Sequence, residues 1–318
     1  MNRTAIEYLD YTWNPVTGCT PVSAGCEHCW AKRMHERGIF GKQGFSEIQL
    51  HILRLDEPLR RKKPARIGVC FMGDLFHEGV TITDQERVFR VIVSAPQHTF
   101  LVLTKRPGQM AARIPIIKNR IWGAHWTACE NVWLGVSIED QATADERIPL
   151  LLKTPAAVRY VSVEPMLGEI RLDQLMVPEG LPPDQERHDG PWTLVWNSLT
   201  GERATSPYSS YKFKEKLDWI VVGGESGPGA RPLHPDWVRS VRYQCQAAGV
   251  PFFFKQWGEW LPQCQGPARG WTAMHNWDQP GCPGLPVHGD CRCSFRVGKK
   301  AAGCLLDGRE WKEMTGLL

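Results

Sequence analysis

"NVWLGVSIEDQATADERIPLLLKT" occupies residues 131–154. It opens as a β-branched and aromatic run, the composition of a strand covered on both faces. A polar tip follows, carrying Ser137 and Glu139. From 139 onward apolar residues recur at helical spacing. The stretch therefore reads as strand, polar tip and helix. Similar apolar runs with polar or glycine-containing tips recur at "IGVCFMGDLF" (67–76), "HTFLVLTKRP" (98–107), "RYVSVEPMLG" (159–168), "DWIVVGGESG" (218–227) and "PFFFKQWGEW" (251–260). Helical patterns lie between them at "TDQERVFRVIVSA" (83–95) and at "HPDWVRSVRYQCQAAG" (234–249), which closes on Gly249 as a C-terminal cap. With a first strand in "IEYLDYTWN" (6–14) and a helix starting near Cys29, the order is (βα) repeated about seven times. That order predicts an α/β fold with parallel strands, a partial or full TIM-type barrel over residues 1–260.

Two segments break the rhythm. Residues 177–217, rich in Pro, Gly and Ser, are expected to form a surface insertion. Residues 261–318 form a Cys/Gly/Pro-rich C-terminal extension.

The chain has 318 residues, 42% of them apolar and 23% charged, enough for an ordinary core. A net charge of +4 permits a nucleic-acid partner without demanding one. The N-terminal "MNRTAIEYLDYTW" lacks the apolar segment of a signal peptide, and no apolar run is long enough for a membrane span. The expectation is a cytoplasmic protein with no membrane partner. Eleven cysteines in that compartment argue for metal or redox work over structural disulfides. Fourteen tryptophans require several partly polar sites, because each indole N–H wants an acceptor.

The densest cysteine group is "TGCTPVSAGCEHCWAKRM" (17–34), with Cys19, Cys26 and Cys29 spaced C-x6-C-x2-C. A C-x2-C pair aims two thiolates at one metal centre. A closed zinc site would need a fourth ligand from His28, His35 or a distant cysteine. A 4Fe–4S cluster can instead take three cysteines and leave one iron open to a small molecule. The motif follows the first predicted strand, at the end where parallel barrels carry their sites. Trp30, next to the last cysteine, could shield a cluster or touch an adenine.

A three-cysteine loop after strand one of a (βα) barrel, with an adjoining aromatic, resembles the radical S-adenosylmethionine (SAM) enzymes. Their commonest spacing is C-x3-C-x2-C, and this chain lengthens the first gap by three residues. Across most of the chain, "TWNPVTGC", "FMGDLFHE", "LTKRP", "WLGVSIED", "SVEPMLGEI", "GGESGPGARP", "PFFFKQWGEW" and "LDGREW" resemble the phage-associated gp thirty-seven/sixty-eight-like family. "TKRP" and "EPMLGEI" are distantly similar to spore photoproduct lyase-related proteins. The resemblance implies that Cys19, Cys26 and Cys29 hold a 4Fe–4S cluster and that SAM binds its open iron. It further implies reductive cleavage to a 5′-deoxyadenosyl radical, hydrogen abstraction from a substrate such as a nucleic-acid base, and an external electron donor of flavodoxin or ferredoxin type. Two alternatives stay open: a radical SAM enzyme acting on a peptide or small molecule, and a zinc-stabilised nucleic-acid-binding protein.

The other strand tips supply candidate SAM- or substrate-binding groups. Gly223, Gly224, Glu225 and Ser226 in "GGESG" suit a close backbone approach and contacts to hydroxyl or amine groups; a tight turn is the competing account. Glu164 in "SVEP" must be paired or ligand-bound, and Lys105 or Arg106 are its expected partners if the role is structural. Ser137 and Glu139 share that setting, with the start of the next helix as the competing account of Glu139. Asp74, His77, Glu78, Lys105, Arg106, Lys255 and Gln256 are further polar groups at strand ends, while Phe252 to Phe254 read as core. Cys264, Cys282, Cys291, Cys293 and Cys304 could hold a second cluster or a zinc, against which stands a spacing that is not a standard closed-site one. Cys70, Cys129 and Cys245 read as buried and inert, with Cys70 the nearest to a strand end.

Overall fold

The computed structural model describes residues 1–38, 44–122, 130–177, 194–206, 209–212, 215–277 and 291–316. Cys129 and Cys282 lie outside them, as does part of the expected insertion. The central element is an eight-stranded sheet: β1 (Asn2–Arg3), β2 (Tyr11–Trp13), β3 (Arg66–Val69), β4 (Thr99–Thr104), β5 (Val132–Ile138), β6 (Val158–Val163), β7 (Trp219–Gly223) and β8 (Phe252–Gln256). Spatial order equals chain order. β1 runs antiparallel to β2, and every later neighbour is parallel.

Crossover helices are α1 (Trp30–Glu36), α2 (Ile82–Val93), α3 (Pro107–Trp122), α4 (Gln141–Lys153) and α5 (Pro235–Ala248). Their caps are local. The Thr81 hydroxyl accepts from the Asp84 N–H, two residues before the expected start, and Asp140 and Thr143 form a reciprocal capping box. Gly249 ends α5 in the left-handed conformation, φ 65°, as its position predicts. The β6–β7 crossover departs from the expected repeat: among the described residues it holds no helix. Strands at Leu175–Val177, Leu194–Asn197, Glu202–Ser206 and Ser209–Lys212 form an antiparallel meander there instead.

The two faces of the sheet are filled differently. Phe100, Val102, Leu134, Val136, Val161, Ile220 and Phe254 pack with apolar residues of α2 to α5. Their alternates, Leu101, Trp133, Tyr160, Trp219, Val221 and Phe253, form a second cluster closed by Tyr8 and Leu9. Tyr8 lies edge-on to Trp219 at 5.3 Å and to Phe253 at 5.6 Å. The expected first strand over 6–14 is therefore short, because residues 6–9 turn inward to cap this cluster.

No closed barrel forms among the described residues, since β1 and β8 are the edges of the sheet. Side chains and the chain end occupy the gap. The Phe254 N–H donates to the Trp311 carbonyl (2.8 Å) and the Glu313 N–H to the Phe252 carbonyl (3.2 Å), laying residues 311–313 along β8. Trp219 Nε1 donates to the Glu313 carbonyl, and Lys312 pairs with Glu7. Among the described residues, no helix is long and apolar enough to cross a membrane.

Burial raises the Tyr8 and Tyr160 phenols well above their usual range and pushes the Cys70 thiol up to about 12; Cys245 moves the same way. Each is neutral when folded and ionises more readily when unfolded. Their stabilisation is complete below the ordinary thiol value of 9 and is lost as pH rises through the raised values. Thermal midpoints should be level from neutrality to about pH 9 and fall above it. A midpoint as high at about pH 11 as at neutrality would contradict this account.

Candidate functional site

Beyond Trp13 the chain passes the C-terminal ends of the strands. Gly18 pairs with Gly73 past the end of β3, and residues 18–29 form the cysteine loop, entering α1 with Cys29 at its N-cap. Cys19, Cys26 and Cys29 are all free thiols and all line one cavity of about 550 Å3, together with Thr20, Lys32 and Phe45 among others. Trp30 is 46% exposed and lies outside that lining.

The loop is anchored from three sides. On the first, Arg106 Nη1 donates to Cys19 Sγ (3.4 Å), and its Nη2 donates to the Thr20 carbonyl (3.0 Å) and hydroxyl (2.9 Å). Asp74 and Glu78 hold the same guanidinium. Burial and the Asp74 charge push the Cys19 thiol up to about 11, against the opposing pull of Arg106. Thr20 Oγ1 is also hydrogen-bonded to His77 Nε2 at 2.9 Å.

On the second side stands Glu139, at 0% exposure. Lys105 pairs with it, Arg147 Nη1 lies 3.2 Å from its Oε2, and Ser23 Oγ donates to its Oε1 at 2.8 Å. A Cβ on Gly25 would stand 2.5 Å from Glu139 Oε1 and 2.6 Å from Lys105 Nζ, so the loop must be bare there.

On the third side, Arg231 grips Glu225 through its backbone N–H, Nε and Nη2 at 2.8 to 3.0 Å. It then reaches the Ala24 carbonyl (3.0 Å) and Glu27 (3.1 Å). Arg33, from α1, returns the contact by donating to the Ser226 carbonyl at 2.6 Å.

These contacts place the candidates from the other strand tips. Glu225 and Ser226 support the loop. Gly224 allows two backbones to cross, since a Cβ there would lie 2.0 Å from the Trp257 carbonyl oxygen. Gly223 leaves room for Glu164, whose Oε1 would stand 2.7 Å from a Cβ at that position. The expected partner of Glu164 is corrected: Lys255 Nζ lies 2.7 Å from it and Ser162 Oγ donates to it at 2.9 Å, while Lys105 and Arg106 serve Glu139 and Asp74. Ser137 Oγ donates to the Glu164 carbonyl at 3.2 Å. Glu139 does not start a helix; Asp140 caps α4 and Glu139 turns inward. Phe252 to Phe254 are buried, as are Cys70 and Cys245.

The expectation of no structural disulfide is corrected at Cys264 and Cys291, which are joined with Cα atoms 5.2 Å apart. The antiparallel register Pro262↔Ser294 brings the two positions side by side. Cys293 and Cys304 are free.

Several supporting residues were not among the expected site residues, although Arg231 falls within "GGESGPGARP". Ser23 and Gly25 fall in the six-residue gap, Arg231 six residues beyond Glu225, and Arg147 on a helix. Arg147 had a usable signal: it shares the buried face of α4 with Ala144, Ile148 and Leu151, and a charge there needs a partner.

The thiol set bears on which metal would fit. Among the described residues, no three Cys, His, Asp or Glu side chains converge closely enough to hold one metal ion. The three thiols share one cavity, the donor set a polynuclear cluster would use with one sulfur on each of three irons. The Arg106 guanidinium at Cys19 supplies positive charge beside a donor set that is anionic when it ligates.

The model of the family described as "Protein of unknown function (DUF5131)" matches residues 3–315, and the chain belongs to that family. No curated protein and no solved structure matches the chain.

Replacing Glu139 by Ala leaves Lys105 and Arg147 without their buried counter-charge. The loss expected in denaturant unfolding is about 3–5 kcal/mol. A loss below about 1 kcal/mol, the range of exposed pairs, would show that Glu139 does not anchor the loop.

Proposed function

We propose that this protein is an iron–sulfur enzyme of the radical SAM kind, with Cys19, Cys26 and Cys29 as the cluster ligands. One observation carries the reading: three free thiols share one cavity at the C-terminal end of a parallel sheet whose strands follow chain order. Helices α2 to α5 on one face and a buried aromatic plug on the other support reading that sheet as the wall of a partial barrel. A 4Fe–4S cluster held by three thiolates would leave one iron to bind SAM and, once reduced by an external one-electron donor, would supply a 5′-deoxyadenosyl radical for hydrogen abstraction.

The chain's own residues do the rest. Arg106, Glu139 and Arg231 pin the cysteine loop at Thr20, Ser23 and Ala24, so the thiols are held before any cofactor arrives. Such pre-organisation limits the ordering cost of loading. The Cys19 thiol must give up its proton to ligate; burial and the Asp74 charge oppose that, and the adjacent guanidinium offsets them only in part. Further into the mouth, Lys255 and Ser162 orient Glu164, leaving a carboxylate with fixed partners beside Gly223. That carboxylate is suited to holding an ammonium or hydroxyl group of SAM or of a substrate.

Anaerobic reconstitution with iron and sulfide should give a brown protein with about four irons per chain. Dithionite and SAM should then yield 5′-deoxyadenosine. Cys26→Ala should lose both the colour and the product. A colourless protein that takes up one zinc instead, or 5′-deoxyadenosine formation that survives in Cys26→Ala, would sink the assignment.

A further inference from the structure

Beyond the C-terminal end of β8 stands a small antiparallel sheet of strands Trp260–Pro262, Cys293–Arg296 and Met274–Asn276. Its two faces differ. Ser294 and Trp277 turn to the body of the protein, where Trp277 Nε1 donates to Ser294 Oγ. On the other face Phe295 pairs across the strands with Met274, and the Trp271 ring lies 5.6 Å from the Phe295 ring. Trp271 is 52% exposed and Met274 54% exposed. Large apolar side chains left in water beside one another mark an interaction surface.

Cations predominate along this sheet, with Glu259 just before its first strand and Asp307 held by Gln265. Residues 261–277 and 291–304 include Arg269, Arg292, Arg296, Lys299 and Lys300, and no acidic residue. Arg269, Arg292, Lys299 and Lys300 are exposed. The surface is also continuous with the candidate site. Arg296 Nη2 donates to the Gly227 carbonyl, in the loop that meets Arg33, and the Val297 and Gly298 N–H groups both donate to the Glu259 carbonyl. Lys299, next in the chain, lies within electrostatic reach of Lys255 and of Glu164, Glu7 and Glu259.

An exposed indole, with cations on the same strands and connections, matches the chemistry of a strand with unstacked bases and a phosphate backbone. A duplex keeps its base faces stacked and would leave Trp271 unused. A peptide of unspecified charge would leave the basic border unexplained.

We propose that the Trp271–Met274–Phe295 face, with Arg269, Lys299 and Lys300 around it, is a docking platform for a single-stranded nucleic acid. The strand crosses it with a base stacked on Trp271 and its phosphates on the cations, and leads toward the mouth that holds Glu164 and Lys255. Its role in delivering a substrate rests on the cofactor reading above; its role in binding does not.

The test uses the full chain and a fluorescently labelled oligodeoxythymidylate, followed by anisotropy across a salt series, with a duplex of mixed sequence as comparison. The single strand should bind more tightly than the duplex. Trp271→Ala should weaken it about ten-fold or more with the salt slope unchanged, and Trp271→Phe should restore most of the affinity. The double variant Lys299→Ala, Lys300→Ala should lower the slope by about 1.4. Unchanged affinity in Trp271→Ala overturns the proposal. So does equal binding of the duplex, or a dimer in sedimentation that Trp271→Ala dissolves, which would make the face an interface between copies. Cys26→Ala separates the two readings, because it should lose iron yet bind the oligonucleotide as the parent does. If the parent takes up no iron while Trp271-dependent binding persists, the cofactor reading falls and the platform stands.

Discussion

A carboxylate shut off from water must find positive charge, and Glu139 finds two cations that are themselves hard to place elsewhere. Lys105 ends β4, Arg147 lies on the buried face of α4, and Glu139 ends β5. Each would be costly alone; together they form a charged knot across two strands and a helix. One Glu139 oxygen also accepts from Ser23, a residue of the cysteine loop. The knot therefore ties the loop to the sheet. Gly25 lies against the same carboxylate with no room for a side chain. The location of the three thiols is thus set by an ion cluster that contains none of them.

The opposite end of the sheet's inner face meets a different demand. Strands in sequential order leave two edges and an inner surface, and both must be covered. The N-terminal segment covers one side by donating Tyr8 and Leu9 to the aromatic cluster. The C-terminal segment covers the other by running along β8. Tryptophan is well suited to this work, because one side chain fills volume and its N–H fastens a carbonyl. Trp219 holds the Glu313 carbonyl, Trp257 that of Leu305 and Trp311 that of Leu306. Three of the fourteen tryptophans thus fasten the C-terminal segment.

The parallel strands and α2, α4 and α5 were legible because burial on two faces writes a continuous apolar run and burial on one helical face writes a period. The inward turn of residues 6–9 was not, since "IEYLDYTWN" has strand composition throughout and only the rings of Trp219 and Phe253 select Tyr8 for the plug. The meander between β6 and β7 was legible as an interruption but not as a sheet. Partner choice was harder still. Nothing local tells Glu164 to take Lys255 rather than Lys105: each lies one strand removed from β6, on β8 and after β4, and Lys105 is already held by Glu139. The Cys264–Cys291 bond was missed for a related reason: it depends on the register of two short strands separated by a long connection.

Glycine-rich strand tips show why the site itself was only half readable. A bare backbone serves a ligand and a neighbouring backbone equally well, so "GGESG" supports either reading until the Trp257 carbonyl is found where a Cβ on Gly224 would go. The six residues "TPVSAG" between Cys19 and Cys26 show the converse. As a spacer the gap is three residues longer than the commonest spacing of the enzymes it resembles. As structure it is the docking segment: Thr20 is held by Arg106, Ser23 by Glu139, Ala24 by Arg231, and Gly25 fits because it is bare. A shorter gap would have fewer residues for these three anchors, which come from different strand ends. On this account the length of the gap is set by the strand ends it must reach, and the cysteines at its two ends are positioned as a consequence.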